Sequence, residues 1–517
     1  MSPSLTIEGP DVTTSPDQRS SPPETTGPSS AGHPDSTGIL RVLVGATFVV
    51  ILNETIMVNA IPRLMHDFDV TARSAQWLST AFMLTLAVVI PMTGWLLQRV
   101  TTRRAFALAL GLFLAGTVLA TAAWSFPVLL AARIVQASGT AVMMPLLMTT
   151  LMTIVPAHQR GKVMGNVTLT MAVAPALGPA VSGVLLQLGS WRWIFAVVVP
   201  IALGMLVVGL RKLTNVGEPK DGAIDWSSVV LAALGFGTFV YGLSQIGVDP
   251  EVAGGLPAVP TLVVGALLVA VFVWRQLRLQ RTDTPLLDLR TLTVRPFAVS
   301  LALMCLAFMA LMGVMITLPL FLQSVSGLSP LTTGLLLMPG GLVMGLLGPR
   351  VGALFDQHGA RVLVVPGAAL LLGALAGLAT IGTATPAWWL LALHVLMSVA
   401  LAMIFTPVFT TGLGALPPNL YSHGSAVLGT LQQVAAAIGT AVVVTVLSVR
   451  SATLAASGAD PVTALSGGIQ LGMVFAAVAG VGVLVLAFFV PGRESAGQGH
   501  GPALEGEDAP QDEEFVA

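Results

Sequence analysis

Charge is what this sequence has least of. Only 9% of its 517 residues are Asp, Glu, Lys or Arg, while 55% are hydrophobic. A soluble protein carries about 25% charged residues, and a chain of this length would need them to cover its surface. The scarcity excludes a cytosolic enzyme, a nucleic-acid binder and a disordered scaffold. Cysteine is nearly absent as well: Cys305 stands alone, which rules out a disulfide framework and a Cys-rich metal site. No GxxxxGK[ST] loop cradles phosphates, so ATP is not the direct energy source. No metal-ligand cluster or cofactor motif is visible either. No apolar signal-peptide core follows a basic start, so the first hydrophobic segment is expected to stay in the mature chain. Two-residue alternation is missing too, and with it the signature of a membrane β-barrel.

What is present is a series of apolar stretches, each long enough to cross a bilayer as a helix of about 20 residues. They fall at 39–61, 75–98, 105–123, 126–154, 163–187, 192–212, 226–247, 258–280, 296–322, 331–355, 361–383, 386–412, 424–448 and 467–491. The reading is an all-α integral membrane protein with fourteen spans, facing the lipid bilayer. Residues 1–38 are rich in Ser, Thr, Pro and Gly, and 492–517 end in Asp512, Glu513 and Glu514; both read as disordered polar tails. Basic residues are retained on the cytoplasmic side. Of the 23 Lys and Arg, only Arg63, Arg73, Arg192 and Arg450 fall in one set of loops, and Arg133 lies within a span. The others, from Arg19 through Lys220 to Arg493, mark the opposite face. Both termini are therefore expected in the cytoplasm, with the protein in the cell membrane.

An internal repeat runs through the spans. The loop after the tenth reads GALFDQHGAR (Gly352, Asp356, Gly359, Arg361), and the loop after the second reads GWLLQRVTTR (Gly94, Gln98, Arg99, Arg103), followed by Arg104. Gly, Leu and Arg recur at the same spacing, offset by 258 residues. Spans nine to fourteen then repeat spans one to six, and spans seven and eight are an insertion. The expected divisions are 39–212 and 296–491 for the two six-helix bundles and 213–295 for the inserted pair with its linkers. Repeated halves that hold a substrate at their interface are a transporter design.

GALFDQHGAR resembles the loop motif GxLxDxxGxR of the major facilitator superfamily. Three further segments are similar to its drug:proton antiporter branch with fourteen spans. They are LNETIMVNAIP at 52–62, RIVQASGTA at 133–141 and APALGPAVSG at 174–183. The Asn-Glu-Thr of the first span, with Gln98 in the loop, is similar to the lincomycin-resistance and multidrug exporters. The resemblance implies the major facilitator fold, two six-helix bundles plus two inserted helices. It also implies an exchange mechanism, carried by the antiporter signature Pro175, Gly178, Pro179, Ser182 and Gly183, and a latching role for Asp356 and Arg361. Gln98 and Thr101 stand where that motif has Asp and Gly, so the first loop lacks the carboxylate that the second keeps.

Glu54 is the only acid deep within a span, where ionisable groups are costly and usually functional. A carboxyl there can exchange a proton as a cavity opens to either side, and a cationic substrate would compete for the same site. The competing reading is a Glu held neutral for packing. Arg133 is the basic counterpart; its acceptor would be Glu54 or backbone carbonyls, unless it snorkels to the near end of its helix. Asn53, Asn59, Gln136, Asn166, Gln432 and Gln433 are candidates for a substrate cavity, each also explicable as an interhelical hydrogen bond. His394 is read as packing in an apolar helix.

The expected function is a proton-coupled antiporter, not an enzyme, that exports amphiphilic drugs or antibiotics by alternating access and works as a monomer. It would need no cofactor and no metal, with protons and a small amphiphile as its partners and no nucleic acid. Two alternatives stay open: a dedicated exporter of one endogenous antibiotic, lipid or peptide on the same fold, and a non-transporting membrane sensor.

Overall fold

Long apolar runs form the helices, and short polar residues start several of them. The Thr71 and Thr101 hydroxyls accept the backbone N–H of Ser74 and Arg104, and the Asp460 carboxylate accepts those of Val462 and Thr463. Each satisfies a donor that the first helical turn leaves unpaired. Inside the spans, hydroxyls fold back onto their own helix: Thr47, Thr317 and Thr430 donate to the carbonyls of Leu43, Gly313 and Ala426. All three are buried, and the bond within the helix satisfies a hydroxyl that burial has taken from water.

The computed structural model describes residues 36–187, 189–216, 219, 222–246 and 256–492. Most of both expected tails, with Arg19, Arg493 and the acidic end, lies outside the described residues, as does Lys220. Fourteen helices are long and apolar enough to cross a membrane, and no β-strand occurs among the described residues. We number them α1 (Ser36–Ile56), α2 (Ala72–Arg99), α3 (Thr102–Thr121), α4 (Phe126–Ile154), α5 (Arg160–Gln187), α6 (Val198–Lys212), α7 (Trp226–Ser244), α8 (Ala258–Leu279), α9 (Arg295–Ser324), α10 (Pro330–His358), α11 (Arg361–Leu378), α12 (Ala387–Gly414), α13 (Tyr421–Ala456) and α14 (Pro461–Ala487). Fourteen crossings leave the start of α1 and the end of α14 on one side, called the termini side below.

Two boundaries differ from the sequence expectation for a local reason. The first apolar stretch does not run unbroken to residue 61. It passes from α1 through a 3-10 turn, Met57–Ala60, into a short helix, Ile61–Phe68, because Pro62 has no N–H to offer the carbonyl of Val58. α13 is longer than expected, since Ser422, His423 and Arg450 extend the helix beyond its apolar centre.

The repeat is visible in the packing. α1 packs on α4, α5 and α6, and α9 packs on α12, α13 and α14. α3 packs on α4 and α6, and α11 packs on α12 and α14. Two six-helix bundles result, α1–α6 and α9–α14. They meet through α5 against α10 and through α2 against α13, which exchange under the repeat. α7 and α8 form a tight pair. Their glycines Gly242 and Gly265 lie against the backbones of Leu262 and Phe239, the close approach that small residues permit in lipid. α7 leans on both α2 and α13, so the inserted pair sits beside one of the two seams.

Candidate functional site

Glu54 is the third residue from the end of α1, and Arg133 is the eighth of α4. Both therefore lie towards the side opposite the termini. Arg133 does not snorkel: only 1% of it is exposed. Its Nη1 donates to Gln136 Oε1 at 2.6 Å, the Gln136 amide donates to Thr117 Oγ1 at 2.8 Å, and that hydroxyl donates to the Phe113 carbonyl at 2.7 Å. The guanidinium also lies over the ring of Phe82, 4.1 Å from its centre, a cation–π contact strengthened by the absence of water. Glu54 is half-buried and its charge interacts with that of Arg133, although no ion pair joins them among the described residues.

The sequence therefore found Arg133 but not its support. Gln136, a cavity candidate, is fully buried and acts as the acceptor that fixes the guanidinium. Phe82 and Thr117 were not singled out at all. The spacing of Arg133 and Gln136, three apart on one helix face, was the available signal for that pair. Phe82 and Thr117 come from other helices and left none.

The signature segment of α5 packs directly on the end of α1. A side-chain carbon at Gly178 would overlap Thr55, the neighbour of Glu54. One turn on, the Asn59 amide donates to the Pro179 carbonyl at 3.1 Å, and a further turn on Arg63 donates to the Leu186 carbonyl. Residues 55, 59 and 63 form one stripe against α5. Ser182 is fully buried with its hydroxyl unpaired, and so is Asn53, whose two amide atoms both lack a protein partner. Pro175 and Gly183 belong to the same segment, with open space beside Gly183.

Other candidates are not brought to this place. Asn166 is exposed, two turns from the termini end of α5. Gln432 and Gln433 are half-buried on α13, in the other bundle. His394 is the eighth residue of α12, the position Arg133 holds in α4. Its ring is buried over Gly340, where a side-chain carbon would collide with it.

The loop motifs lie on the termini side. Asp356, near the end of α10, accepts the N–H groups of Gly161 and Lys162 at 2.8 Å each, so a carboxylate caps the positive end of α5. Gly359 ends α10 with φ +83°, a conformation suited to glycine. Its counterpart in the first loop, Thr101, is extended and caps α3 instead. Gln98, the counterpart of Asp356, donates to the Asn419 carbonyl at 2.9 Å. Gly94 lies against His423 of α13, and Gly352 against the carbonyl of Gly161. Arg99 stacks on Trp95, while Arg103, Arg104 and Arg361 are exposed.

Comparison with known proteins fits this geometry. The family model of the Major Facilitator Superfamily matches residues 43–440. The chain is 37% identical over 449 residues to the lincomycin resistance protein LmrB of Listeria monocytogenes, covering 86% of this chain and 94% of that protein. It is 35% identical over 454 residues to LmrB of Bacillus subtilis, with the same coverage. Among solved structures, the human organic anion transporter MFSD10 superposes with a TM-score of 0.61 at 15% identity, covering 88% of this chain and 99% of that one.

Proposed function

The chain belongs to the major facilitator superfamily, and on that footing we propose that it is a proton-coupled antiporter exporting amphiphilic drugs or antibiotics. Membership makes it a multi-pass membrane transporter of small molecules, not an enzyme. The bundles at 39–212 and 296–491 rock about their interface, with both termini in the cytoplasm and the monomer as the working unit. The observation that carries the proposal is a half-buried carboxyl, Glu54, whose charge interacts with that of Arg133, a guanidinium that Gln136 and Phe82 hold in place.

Glu54 takes up a proton when it faces the outside and gives it up when it faces the cytoplasm; a cationic or amphiphilic substrate competes for the deprotonated form. Arg133, held by Gln136 and Phe82, is the fixed countercharge of this site. The stripe of Thr55, Asn59 and Arg63 against α5 connects the protonation site to the signature segment, so a change at Glu54 is felt beside Pro175 and Pro179. One proton crossing 100 mV releases about 2.3 kcal/mol, which sustains a gradient of roughly fiftyfold for one neutral substrate per proton.

The test is dye or lincosamide transport in everted vesicles with an imposed pH gradient. Glu54→Gln is expected to abolish gradient-driven transport while the protein still accumulates in the membrane. Undiminished proton-driven transport by that variant overturns the proposal.

A further inference from the structure

The inserted pair has a structural task that follows from where its linker goes. Gln276, fully buried near the end of α8, uses both the nitrogen and the oxygen of its amide. Its Nε2 donates to Ser228 Oγ on α7 at 2.7 Å, and its Oε1 accepts the N–H groups of Leu286 and Leu287 at 2.8 and 3.2 Å. These two hydrogen bonds seat the segment that joins α8 to α9, and they bury the side chains of Leu286 and Leu287. The next residue, Asp288, donates its N–H to Nδ1 of His423 at 3.2 Å. Its carboxylate is held by Arg290 and by the amide of Gln280, so the turn is fixed from both sides.

His423 stands at the third position of α13, pressed against Gly94 of α2. A side-chain carbon at Gly94 would lie 2.8 Å from the same Nδ1. α7, meanwhile, leans on α2, with Tyr241 stacked on Trp77 and Gly237 beside Val88. A closed ring of contacts follows: α2 to α7, Ser228 to Gln276, Gln276 to the linker, the linker to His423, and His423 back to α2. It takes in the α2–α13 seam as one of its links, one turn before Gln98, which stands where the motif has a carboxylate.

We propose that α7, α8 and the 280–294 linker form a clasp that holds the α2–α13 seam closed on the termini side, with Gln276 and His423 as its positioning residues. The ring contains no substrate group and does not involve Glu54, so it stands independently of the proton-coupling reading. Opening of the termini side requires His423 to leave Gly94, and the clasp sets how often that happens.

The experiment measures cysteine alkylation in membrane vesicles, using the full chain with Cys305→Ala as background and a membrane-permeant maleimide. Two reporters sit on contacts between the bundles. Ser425→Cys replaces the partner of Thr149, and Thr168→Cys replaces the partner of Thr406. A third, Ser300→Cys, lies within one bundle against Gly412. Gln276→Leu is expected to speed alkylation at 425 and 168 together by about threefold to tenfold, the effect of losing ordinary hydrogen bonds, and to leave 300 unchanged. Gly94→Ala, which displaces His423 from the other side, is expected to do the same, and it carries the test if Gln276→Leu does not accumulate. Unchanged rates at both seam reporters overturn the clasp. So does a rise at 425 alone, which would mean local fraying of α13, or an equal rise at all three, which would mean a loosened fold.

Discussion

The two seams that join the bundles are related by the repeat, yet they are built from different materials. Where α5 meets α10, backbone meets backbone: Gly165 and Gly348 each lie against the other's carbonyl, Gly161 and Gly352 do the same, and Asp356 caps α5 with two hydrogen bonds. Where α2 meets α13, side chains intervene. Gly94 faces the His423 ring, Gly429 faces Ile90, and Gln98 makes a single bond to a carbonyl. One seam is closed by close approach and a charge at a helix end. The other is closed by replaceable contacts and, on our proposal, by a clasp borrowed from the inserted pair. Two seams related by the repeat need not carry equal weight.

The sharpest way to break this comparison is to add bulk at matching places. Gly165→Ala, whose added carbon would lie 2.3 Å from the Gly348 carbonyl oxygen, is expected to force α5 and α10 apart at a cost of about 3 kcal/mol of closure, lowering transport on the order of a hundredfold. Gly429→Ala is expected to change transport by less than about threefold, because the single atom it meets, an Ile90 methyl at 3.1 Å, has to give by only a few tenths of an ångström. Vesicle transport rates at matched expression decide the point, and equal losses would erase the distinction.

The next largest effect is at the caps. Asp356→Ala removes both bonds to the start of α5 and should weaken closure by about 1–2 kcal/mol, seen as faster alkylation of Thr168→Cys. Gln98→Ala removes one exposed neutral bond and should weaken it by about 0.5–1 kcal/mol, seen at Ser425→Cys. A Gln98→Ala effect as large as that of Asp356→Ala would show that the first loop is a full latch despite its missing charge.

The smallest expected effect is acid loosening of the clasp. Hydrogen bonds from Arg275 hold the Asp225 carboxyl well below its ordinary value of 3.8, at about 2. The group's folded value is depressed, so its contribution is complete above 3.8 and is lost as pH falls towards 2. Hydrogen-exchange protection in the first turn of α7, taken relative to the intrinsic amide rate at each pH, should therefore stay constant down to about pH 4 and fall below it, with Asp225→Asn removing the acid dependence.

Much of the fold was legible because lipid enforces it. Every backbone group in a span must be satisfied within its own helix, so apolar runs of the right length announce helices whatever their neighbours. The fourteen spans, the repeat of Gly94 and Gly352, and the insertion could all be read along the chain. The boundaries that shifted did so at Pro62, and at the ends of α13, where polar residues continue a helix that hydrophobicity alone would stop.

The site was legible only in part. Glu54 and Arg133 stood out because a charge in a span is conspicuous by itself. The guanidinium's actual partners, Gln136 and Phe82, are an ordinary amide and an ordinary apolar residue, made important only by being placed against it. Gln276 is plainer still: nothing in VFVWRQLRL marks it as the residue that seats the linker and, through it, His423.

Composition and period are properties of the chain, so the membrane, the number of crossings, the twofold repeat and the place of one acid and one base within the spans could be read without a structure. Tertiary structure alone decided which seam is held by backbone and which by side chains, what satisfies Arg133, and where the inserted helices rest. Those are contacts between segments up to hundreds of residues apart. Glycine, glutamine and histidine acquire their roles there from the surface they meet, which no local pattern encodes.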